Sequence, residues 1–471
     1  MSGNIKLIIK NRIDIVLGIE YVDFYENKYK TDFFIDLYIE HKRAFNGLKE
    51  LKYNGKKDHL ERFNTIIEGI KDKQTNTEKI PVHYNKKKNE HWVINGFHRT
   101  SVLSYYNLNK NLDIKVHQTR PFREYYPTNI YFFKNRNYEQ KYCDYTMYNF
   151  LKYYQKDFHC IILFPNNKSL PQNLLEKIKK NIIYDIDIPI SKIKNNFKNN
   201  FIQLLYYPER WCKSGGYSGK AISCFNNGDN LKVYFVEKQP LNVLVDLKTK
   251  IREYYKIGKS SVHIPDTQEE CNSLLDLLNN NTLSFMDNAP SLYVQFSNFN
   301  KLFKNLKTYC KENNIDTKKI CITGSSVLSV YGIQDSCEID LFIDKKIQDI
   351  FRNTSFYNHN KYTLNNHYTK HYEDIIYNPD NYFYFQGIKF CNLDIVNDFL
   401  KKKETHVSIQ LMENLIRFEN RNNFECCREI NNIIQNTDID IGIVIIWDKN
   451  YNQKIIEEIM KLRNDIEVIY S

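Results

Sequence analysis

The sequence has little glycine and proline and no long apolar run, and each shortage excludes a class of protein. Only 15 glycines and 11 prolines occur among 471 residues, which excludes a collagen-like or linker-like chain. No stretch approaches the roughly 20 apolar residues of a membrane-spanning helix, and the first residues lack the order of a signal peptide. We therefore expect a cytoplasmic protein with no membrane span.

The 11 cysteines show no pattern that indicates a metal site or a disulfide framework. There is no C-x-x-C pair and no cluster of cysteine and histidine with zinc-ligand spacing. An odd number of cysteines in a chain without an export signal indicates reduced thiols. We expect most of them to be buried as small apolar side chains.

What the sequence does contain is ample apolar material and a modest positive charge. Hydrophobic residues make up 42%, with 36 tyrosines and 29 phenylalanines, so the chain can bury cores. Its length indicates about two to four domains. The formal charge of +11 is spread along the chain, which favours a solvated surface over a stripe that binds nucleic acid. The excess of Asn, Lys, Ile and Tyr is typical of an AT-rich genome.

The order of predicted elements divides the chain into four units: 1–120, 121–295, 296–425 and 426–471. Their strand and helix patterns predict a multidomain chain of the α/β and α+β classes. The central unit begins with a strand, a helix and a strand at 159–184, followed by a glycine-rich turn at 213–220 and strands at 233–236 and 243–245. The last unit repeats this β-α-β pattern, with strands at 441–447 and 466–469.

The sharpest chemical pattern begins with a strand at 320–322, a small-residue turn and a helix. The turn consists of Gly324, Ser325 and Ser326. A helix start of this kind offers backbone N–H donors and hydroxyl groups to the phosphates of a nucleotide. These three residues are therefore the candidate nucleotide-binding residues.

The following strand is expected to carry two carboxylates on one face. Glu338 and Asp340 occupy alternate positions, so Ile339 and Leu341 point to the opposite face and toward a core. Two carboxylates on one face repel each other unless a cation lies between them, and a hard divalent ion prefers oxygen ligands. Phosphoryl transfer combines such a cation with bound phosphates.

This pattern resembles the nucleotidyltransferase superfamily with the DNA polymerase β-like fold, whose signature is Gly-Ser followed by Asp-hydrophobic-Asp/Glu. The resemblance implies a mixed sheet with helices, Mg²⁺ or Mn²⁺, a nucleoside triphosphate substrate, and a third carboxylate on a later strand. Asp374, in an expected short strand at 372–377, is the best match, and Asp394 is the alternative. The resemblance assigns Glu338, Asp340 and Asp374 to metal binding and catalysis. Glu338 stands where the family usually has aspartate, a departure that bears on activity more than on fold.

A second motif lies in the first unit, where a strand, a tight turn and a helix follow each other. Asn95 and Gly96 form the turn, and His98 and Arg99 fall in the first turn of the helix. The free N–H groups there and the guanidinium suit a phosphate, although a capping turn with a surface ion pair has the same pattern. The motif resembles the ParB/sulfiredoxin-like fold, with Ile-Pro-Val at 80–82 as its preceding strand and Asn95 in place of the usual aspartate. The resemblance implies an N-terminal phosphate site at Asn95, Gly96, His98 and Arg99.

The central unit offers weaker patterns. Its glycine-rich turn lacks the spacing of a P-loop. Lys248, Arg252 and Lys259 are compatible with a phosphate-bearing ligand, but we favour a solvated surface. His263 is interpreted as a packed strand residue.

The order of the units resembles multidomain proteins of surface-glycan biosynthesis loci and of large DNA viruses. That resemblance implies transfer of a phosphate-linked group to a sugar or another small hydroxyl acceptor, in the cytoplasm or, for a virus, in the host cytoplasm or the virion. Our leading hypothesis is a metal-dependent nucleotidyl- or phosphoryl-transferase in glycan biosynthesis. Two alternatives stay open, a nucleic-acid-binding ParB-like protein and a catalytically dead scaffold.

Overall fold

The architecture is mixed α/β, with one sheet in each of the four predicted units. The computed structural model describes residues 12–45, 53–73, 80–85, 90–93, 96–110, 116–118, 129–190, 195–206, 209–226, 228–289, 296–332, 335–402, 443–446 and 467–470. No helix within these ranges is long and apolar enough to cross a membrane. The boundaries between units stay predictions.

The described helices of the first unit surround a three-stranded sheet. The elements are α1 (Asp14–Asn27), α2 (Phe33–Phe45), α3 (Tyr53–Lys73), β1 (Ile80–Asn85), β2 (Glu90–Val93), α4 (Phe97–Lys110) and β3 (Val116–Gln118). β1 pairs antiparallel with β2 and parallel with β3. In α2 the side chains of Phe34, Leu37, Tyr38 and His41 are buried, as the 3.6-residue period of an amphipathic helix requires.

The central unit contains a four-stranded sheet in the order β5-β6-β4-β7. The elements are α5 (Ile130–Lys134), α6 (Gln140–Asn149), β4 (Phe158–Leu163), α7 (Gln172–Lys179), β5 (Ile182–Pro189), α8 (Asn195–Tyr206), α9 (Tyr217–Phe225), β6 (Asn230–Glu237), α10 (Leu241–Tyr255), β7 (Val262–His263), α11 (Gln268–Ser273) and α12 (Asn280–Asn288). Because β6 lies between β4 and β5 and pairs antiparallel with both, the first two strands are not direct neighbours.

One expectation for the central unit is wrong and another holds only in part. Residues 243–245 belong to α10 rather than to a strand, because the buried side chains of this segment recur with helical spacing while its two valines are exposed. The glycine-rich stretch at 213–220 turns the chain at Ser214 and Gly215, whose backbone angles are non-helical, with φ +91° at Gly215. From Tyr217 onward the same stretch belongs to α9.

The third unit contains a five-stranded mixed sheet in the order β10-β9-β8-β12-β11. The elements are α13 (Ser297–Glu312), β8 (Ile320–Thr323), α14 (Ser325–Val330), β9 (Asp340–Ile343), β10 (Tyr357–Asn358), α15 (Asn360–Leu364), α16 (Tyr372–Tyr377), β11 (Tyr382–Phe385), β12 (Ile388–Cys391) and α17 (Leu393–Lys402). β8 is antiparallel to β9 and parallel to β12. Ile339 and Leu341 are fully buried as expected, but so are their neighbours in β9, so strand alternation does not separate a buried face from an exposed one here.

The last unit contributes two strands that pair in parallel, β13 (Ile443–Ile446) and β14 (Glu467–Tyr470). The helix expected between them, at 453–462, lies outside the described residues. Unlike β4 and β5, these two strands are direct neighbours, so the two β-α-β patterns differ in their pairing.

One continuous hydrophobic cluster extends through the first three units, and a smaller cluster covers the other face of the central sheet. Strand alternation separates them in β4, where Cys160 and Ile162 face the large cluster while Ile161 and Leu163 face the small one. The described cysteines are unpaired and, apart from Cys337, buried, as predicted. The three units are therefore packed on one another.

Candidate functional site

The turn between β8 and α14 lies directly against a carboxylate of β9. Thr323 at the end of β8 pairs with Asp340 at the start of β9. Gly324 then turns the chain with φ +66°, and a Cβ built at this position would lie 2.1 Å from Asp340 Oδ2. A larger residue would meet both a backbone strain and this contact, so the turn requires glycine. The structure thus brings Gly324 and Asp340 together.

The serines beside Gly324 form hydrogen bonds within the protein. Ser325 Oγ lies 2.8 Å from Ser336 Oγ, and the hydroxyl of Ser326 donates to the carbonyl of Glu338 at 3.0 Å. Ser336 Oγ donates to the same carbonyl at 2.5 Å. These bonds tie the start of α14 to the segment that leads into β9. Both serine hydroxyls that the sequence assigns to phosphates are therefore engaged in fixing the turn.

Asp340 is a buried carboxylate with a histidine partner. Its side chain is 7% exposed, and its Oδ1 lies 3.0 Å from His359 Nε2. His359 Nδ1 lies 3.0 Å from the hydroxyl of Tyr368, which lies 3.3 Å from Thr323 Oγ1. A polar chain therefore runs from Asp340 across the sheet. No motif in the sequence points to His359, which reaches Asp340 because β10 pairs with β9.

Glu338 does not lie on the strand as predicted. β9 begins at Asp340, and Glu338 occupies an exposed bend two residues earlier. Its backbone carbonyl is fixed by Ser326 and Ser336, whereas its carboxylate has no hydrogen-bond or ion-pair partner among the described residues. The two carboxylates therefore differ in environment, one buried and paired and the other exposed.

Asp374 lies on a helix, so the predicted strand at 372–377 is wrong. It belongs to α16, and its carboxylate accepts hydrogen bonds from Thr31 Oγ1 at 2.6 Å and from Asn381 Nδ2 at 2.9 Å. Thr31 belongs to the first unit, in the loop between α1 and α2. In the structure Asp374 therefore joins two units and shares no contact with the partners of Asp340.

Asp394, the alternative third carboxylate, follows a strand and lies in the first turn of a helix, as expected for its segment. It is close enough to the Cys391 thiol to affect its ionisation. Burial raises the pKa of Cys391 to about 12, and the charges of Asp394 and Asp340 add to this effect. Cys391 Sγ also donates to Thr323 Oγ1 at 3.1 Å. Of the two candidates, Asp394 shares a neighbour with Asp340.

The described residues contain no group of three His, Cys, Asp or Glu side chains that could hold a metal ion. Mg²⁺, however, is commonly bound by one or two carboxylates together with waters and substrate phosphates. Oδ2 of Asp340, beside the bare Gly324 backbone, fits that donor set, and Glu338, two residues earlier, offers a second, exposed carboxylate. The residues present therefore fit a cation that arrives with a phosphate, not a preformed cage of three acids.

The N-terminal motif also forms a glycine turn followed by a helix. Gly96 has φ +87°, and its carbonyl accepts from the amide of Thr100 at 2.8 Å, which starts α4. A Cβ built at Gly96 would lie 3.9 Å from Arg99 Nε, so the guanidinium lies close to the turn. Asn95 lies outside the described residues.

His98 packs inside the first unit instead of facing outward. Its Nε2 lies 2.8 Å from the hydroxyl of Tyr38, and Lys42 Nζ lies 4.6 Å from the centre of the Phe97 ring. Burial, strengthened by the charge of Lys42, lowers the pKa of His98 to about 3. Burial also lowers the pKa of Lys42 to about 8. The imidazole is therefore a neutral, packed group, and Arg99 is the stronger candidate for contacting a phosphate.

A buried ion pair lies beside His41, one turn further along α2. Arg12 donates to both carboxylate oxygens of Asp14, at 2.9 and 2.6 Å, and to the carbonyl of Val93 at 3.3 Å. His41 Nε2 lies 3.4 Å from Asp14 Oδ2. Although burial opposes it, the Arg12 guanidinium holds the pKa of Asp14 well below its usual range. His41 therefore faces a carboxylate of the protein.

Comparisons with protein-family models, with curated proteins and with solved structures found no match. The family resemblances drawn from the two motifs therefore stay predictions. The contacts around Gly324 and Asp340 remain as the physical basis for a functional proposal.

Proposed function

We propose that the third unit is a divalent-cation-dependent nucleotidyl- or phosphoryl-transferase module. The observation that carries the proposal is the contact between the Gly324 turn and the carboxylate of Asp340 at the ends of two adjacent strands. A glycine turn without a side chain lets a phosphate approach the backbone, and the adjacent acid can share a cation with that phosphate. The acceptor hydroxyl would belong to a sugar or a similar small molecule in glycan biosynthesis, in the cytoplasm or a virion.

Each residue has a distinct part in this proposal. Glu338 and Asp340 would hold Mg²⁺ or Mn²⁺, which when bound neutralises charge that develops on the phosphate oxygens. His359 binds Oδ1 of Asp340 and leaves Oδ2 beside Gly324, so it orients the carboxylate. Ser325 and Ser326 fix the turn through Ser336 and the Glu338 carbonyl, rather than through free hydroxyls. In the first unit, Arg99 would contact a second phosphate-bearing ligand.

Titration calorimetry with ATP, GTP, CTP and UTP tests the proposal. We expect at least one nucleotide to bind in the presence of Mg²⁺ and to bind at least about tenfold more weakly with EDTA or in Asp340→Asn, because a charge-assisted contact to phosphate is lost. Asp349→Asn, which removes an exposed carboxylate of the same unit, is the matched control and should leave affinity unchanged. Unaltered affinity in a folded Asp340→Asn variant, or no binding of any of the four nucleotides, would contradict the proposal.

A non-catalytic binding module is the second candidate, and one observation favours it. The Asp340 carboxylate already lies 3.0 Å from His359 Nε2, and the described part of the chain offers no group of three metal-binding side chains around it. In this case Mg²⁺-nucleotide binding would occur without turnover. A His359→Gln variant distinguishes the transferase from the binding module. In a binding module, loss of the histidine that competes with the cation for Asp340 should strengthen cation binding, and no phosphate-linked group should be transferred to any acceptor.

A further inference from the structure

The central unit contains a large cavity that is separate from both motifs. Its volume is about 740 Å³, within the range of roughly 300–1,000 Å³ that is typical of small-molecule sites. It lies where the end of α8, the start of α9, the middle of α10 and the strand β7 meet. The cavity is therefore built mainly from helices and a strand, which hold its side chains in place.

The cavity has an excess of positive charge. Four cationic side chains line it: Lys220 from α9, Lys248 and Arg252 from α10, and Lys259 from the turn before β7. Lys248 and Arg252 are four residues apart and therefore share one face of α10. The single carboxylate in the lining is Asp266, whose side chain is 85% exposed and lies 3.9 Å from Lys248 Nζ. One exposed carboxylate leaves most of the positive charge without a counterion.

Two donors in the lining have no partner within the described part of the chain. Arg252 Nε and His263 Nε2 are buried from solvent and have no hydrogen bond there. His263 Nδ1 lies 3.3 Å from the hydroxyl of Tyr206, and when that hydroxyl donates, Nε2 carries the proton. Burial lowers the pKa of His263 to about 4, so the ring is neutral near pH 7, and Nε2 is a donor in the tautomer that accepts from Tyr206 at Nδ1. A buried donor without a partner destabilises the free protein, whereas a solvated surface lysine does not.

Two of the lysines at the rim of the cavity, Lys220 and Lys248, are held by hydrogen bonds to backbone carbonyl groups. Lys220 Nζ donates to the carbonyl of Lys259 at 3.0 Å, and Lys248 Nζ donates to the carbonyl of Ile264 at 3.2 Å. Each ammonium has further donor capacity, because it carries three hydrogens. Both charges are therefore positioned without being neutralised, and the structure corrects the sequence expectation that Lys248 belongs to a fully solvated surface.

An aromatic surface adjoins this basic region. The indole of Trp211 is 38% exposed and packs against the ring of Tyr206, with 5.1 Å between ring centres. Gly216 keeps the backbone close to it, since a Cβ there would lie 2.7 Å from the carbonyl of Trp211. An exposed indole beside cationic groups suits a ligand that carries a planar ring and a negative charge.

We propose that this cavity binds a phosphorylated small molecule with a planar ring, of the size of a nucleoside mono- or diphosphate. Its phosphate oxygens would accept from the Arg252 guanidinium and from the ammonium groups of Lys248 and Lys220, with His263 behind them, and its ring would lie against Trp211. This site does not depend on the function proposed for the third unit. It requires no divalent cation, because the protein supplies the positive charge.

Calorimetry in EDTA tests the proposal, with ADP, UDP, GDP, pyrophosphate and the free nucleosides as probes and with the full chain in the Asp340→Asn background. We expect at least one diphosphate to bind, more tightly than pyrophosphate or its nucleoside alone. Arg252→Gln and His263→Gln should each weaken it by about tenfold or more, and Trp211→Leu should reduce the preference for the nucleotide over pyrophosphate. Retained cation-free binding in this background also separates the cavity from the third unit.

The matched control is Lys250→Gln, because Lys250 lies on the same helix but pairs with Asp246 on the exposed face. It should leave affinity unchanged, and Arg252→Lys should restore part of it if Arg252→Gln folds poorly. Equal weakening by Lys250→Gln would indicate a general charge effect. That result, binding only to long polyanions, or no binding of any probe at millimolar concentration would overturn the proposal.

Discussion

The buried polar groups beside Gly324 have hydrogen-bond partners within the described part of the protein, whereas two of those in the central cavity do not. Asp340 is bound by His359, which in turn lies within hydrogen-bond distance of Tyr368, so the buried groups have partners from the chain itself. In the cavity, Arg252 Nε and His263 Nε2 are buried without a hydrogen-bond partner among the described residues. The first arrangement has its partners within the protein, whereas the second has two buried nitrogens without a partner among the described residues.

This difference shows that a clear sequence motif and buried polar groups without hydrogen-bond partners do not necessarily occur at the same site. The Gly-Ser…Glu-Ile-Asp pattern is the sharper one in sequence, yet Asp340 is already paired. The basic residues of the cavity form no recognisable motif, yet they carry the unpartnered donors. The buried pair of Arg12 and Asp14 belongs to the first kind, since both carboxylate oxygens of Asp14 accept from Arg12. Stability measurements can therefore separate the two kinds of site.

The largest effect is expected at Asp14. Asp14→Ala removes the partner of the Arg12 guanidinium, whose side chain is only 4% exposed, and leaves a buried charge uncompensated. We expect a loss of about 3–5 kcal/mol in the free energy of unfolding, measured by urea denaturation. The loss should be complete at neutral pH and smaller in acid, because a carboxyl whose folded pKa is lowered contributes stability only above that pKa.

The control for Asp14→Ala is an exposed pair of the same chemistry. Asp246→Ala breaks the contact of Asp246 with Lys250, whose side chains are about half exposed and 2.7 Å apart. Such a pair contributes about 0–1 kcal/mol. Equal losses in the free energy of unfolding for the two variants would show that the buried ion pair of Asp14 contributes no more stability than an exposed one.

A smaller, pH-dependent effect is expected at His263. Burial, together with the positive charges of Lys248, Lys220 and Arg252, lowers the pKa of His263 to about 4, and Asp266 only partly opposes this. Between about pH 4 and the ordinary value of 6.5, the unfolded chain binds a proton that the folded chain does not, so stability falls as the pH falls.

The His263→Gln variant measures this contribution. Between about pH 7 and pH 5 the wild type should lose about 1–2 kcal/mol more than the variant, at 1.36 kcal/mol for each pKa unit. Chemical denaturation at several pH values gives the two profiles. If the stability of the wild type and of the variant changed in parallel with pH, the imidazole would titrate normally in the folded chain. His263 would then not be a buried group of the cavity.

The sequence predicts local features of the candidate site and misses those that depend on distant contacts. The turn at Gly324 and the burial of Ile339 and Leu341 follow from a strand, a turn and a strand that lie within about two dozen residues. The predicted alternation of faces does not hold, because all four residues of β9 are buried and Glu338 precedes the strand. The sequence predicts a strand around Asp374 because a segment of six residues is too short to distinguish the two-residue period of a strand from the 3.6-residue period of a helix. Its partner Thr31 lies 343 positions away in the chain.

The cavity is a second example of a site that the sequence does not predict, because its lining depends on contacts between distant residues. Lys248 and Arg252 are visible in the sequence as basic residues, but their spacing is equally typical of a solvated helix face. Only the packing of β7 and α9 against α10 makes the difference, by enclosing Arg252 Nε and His263 Nε2. Lys259 lines the same cavity but is exposed, as the sequence interpretation expects, so charge alone does not show how deeply a cation of the site is buried.

The smallest expected effect has the opposite sign. Arg252→Met keeps an unbranched side chain that fills the same space and removes a buried donor without a partner. The free protein should gain up to about 1 kcal/mol in its free energy of unfolding, because the desolvation cost of that donor disappears. The same exchange at Arg12, whose guanidinium is fully engaged with Asp14, should be clearly destabilising. A gain in stability that accompanies loss of ligand affinity is typical of residues kept for binding rather than for folding. A loss of more than about 1 kcal/mol in Arg252→Met would mean that the guanidinium supports the fold, and the contrast between the two regions would not hold.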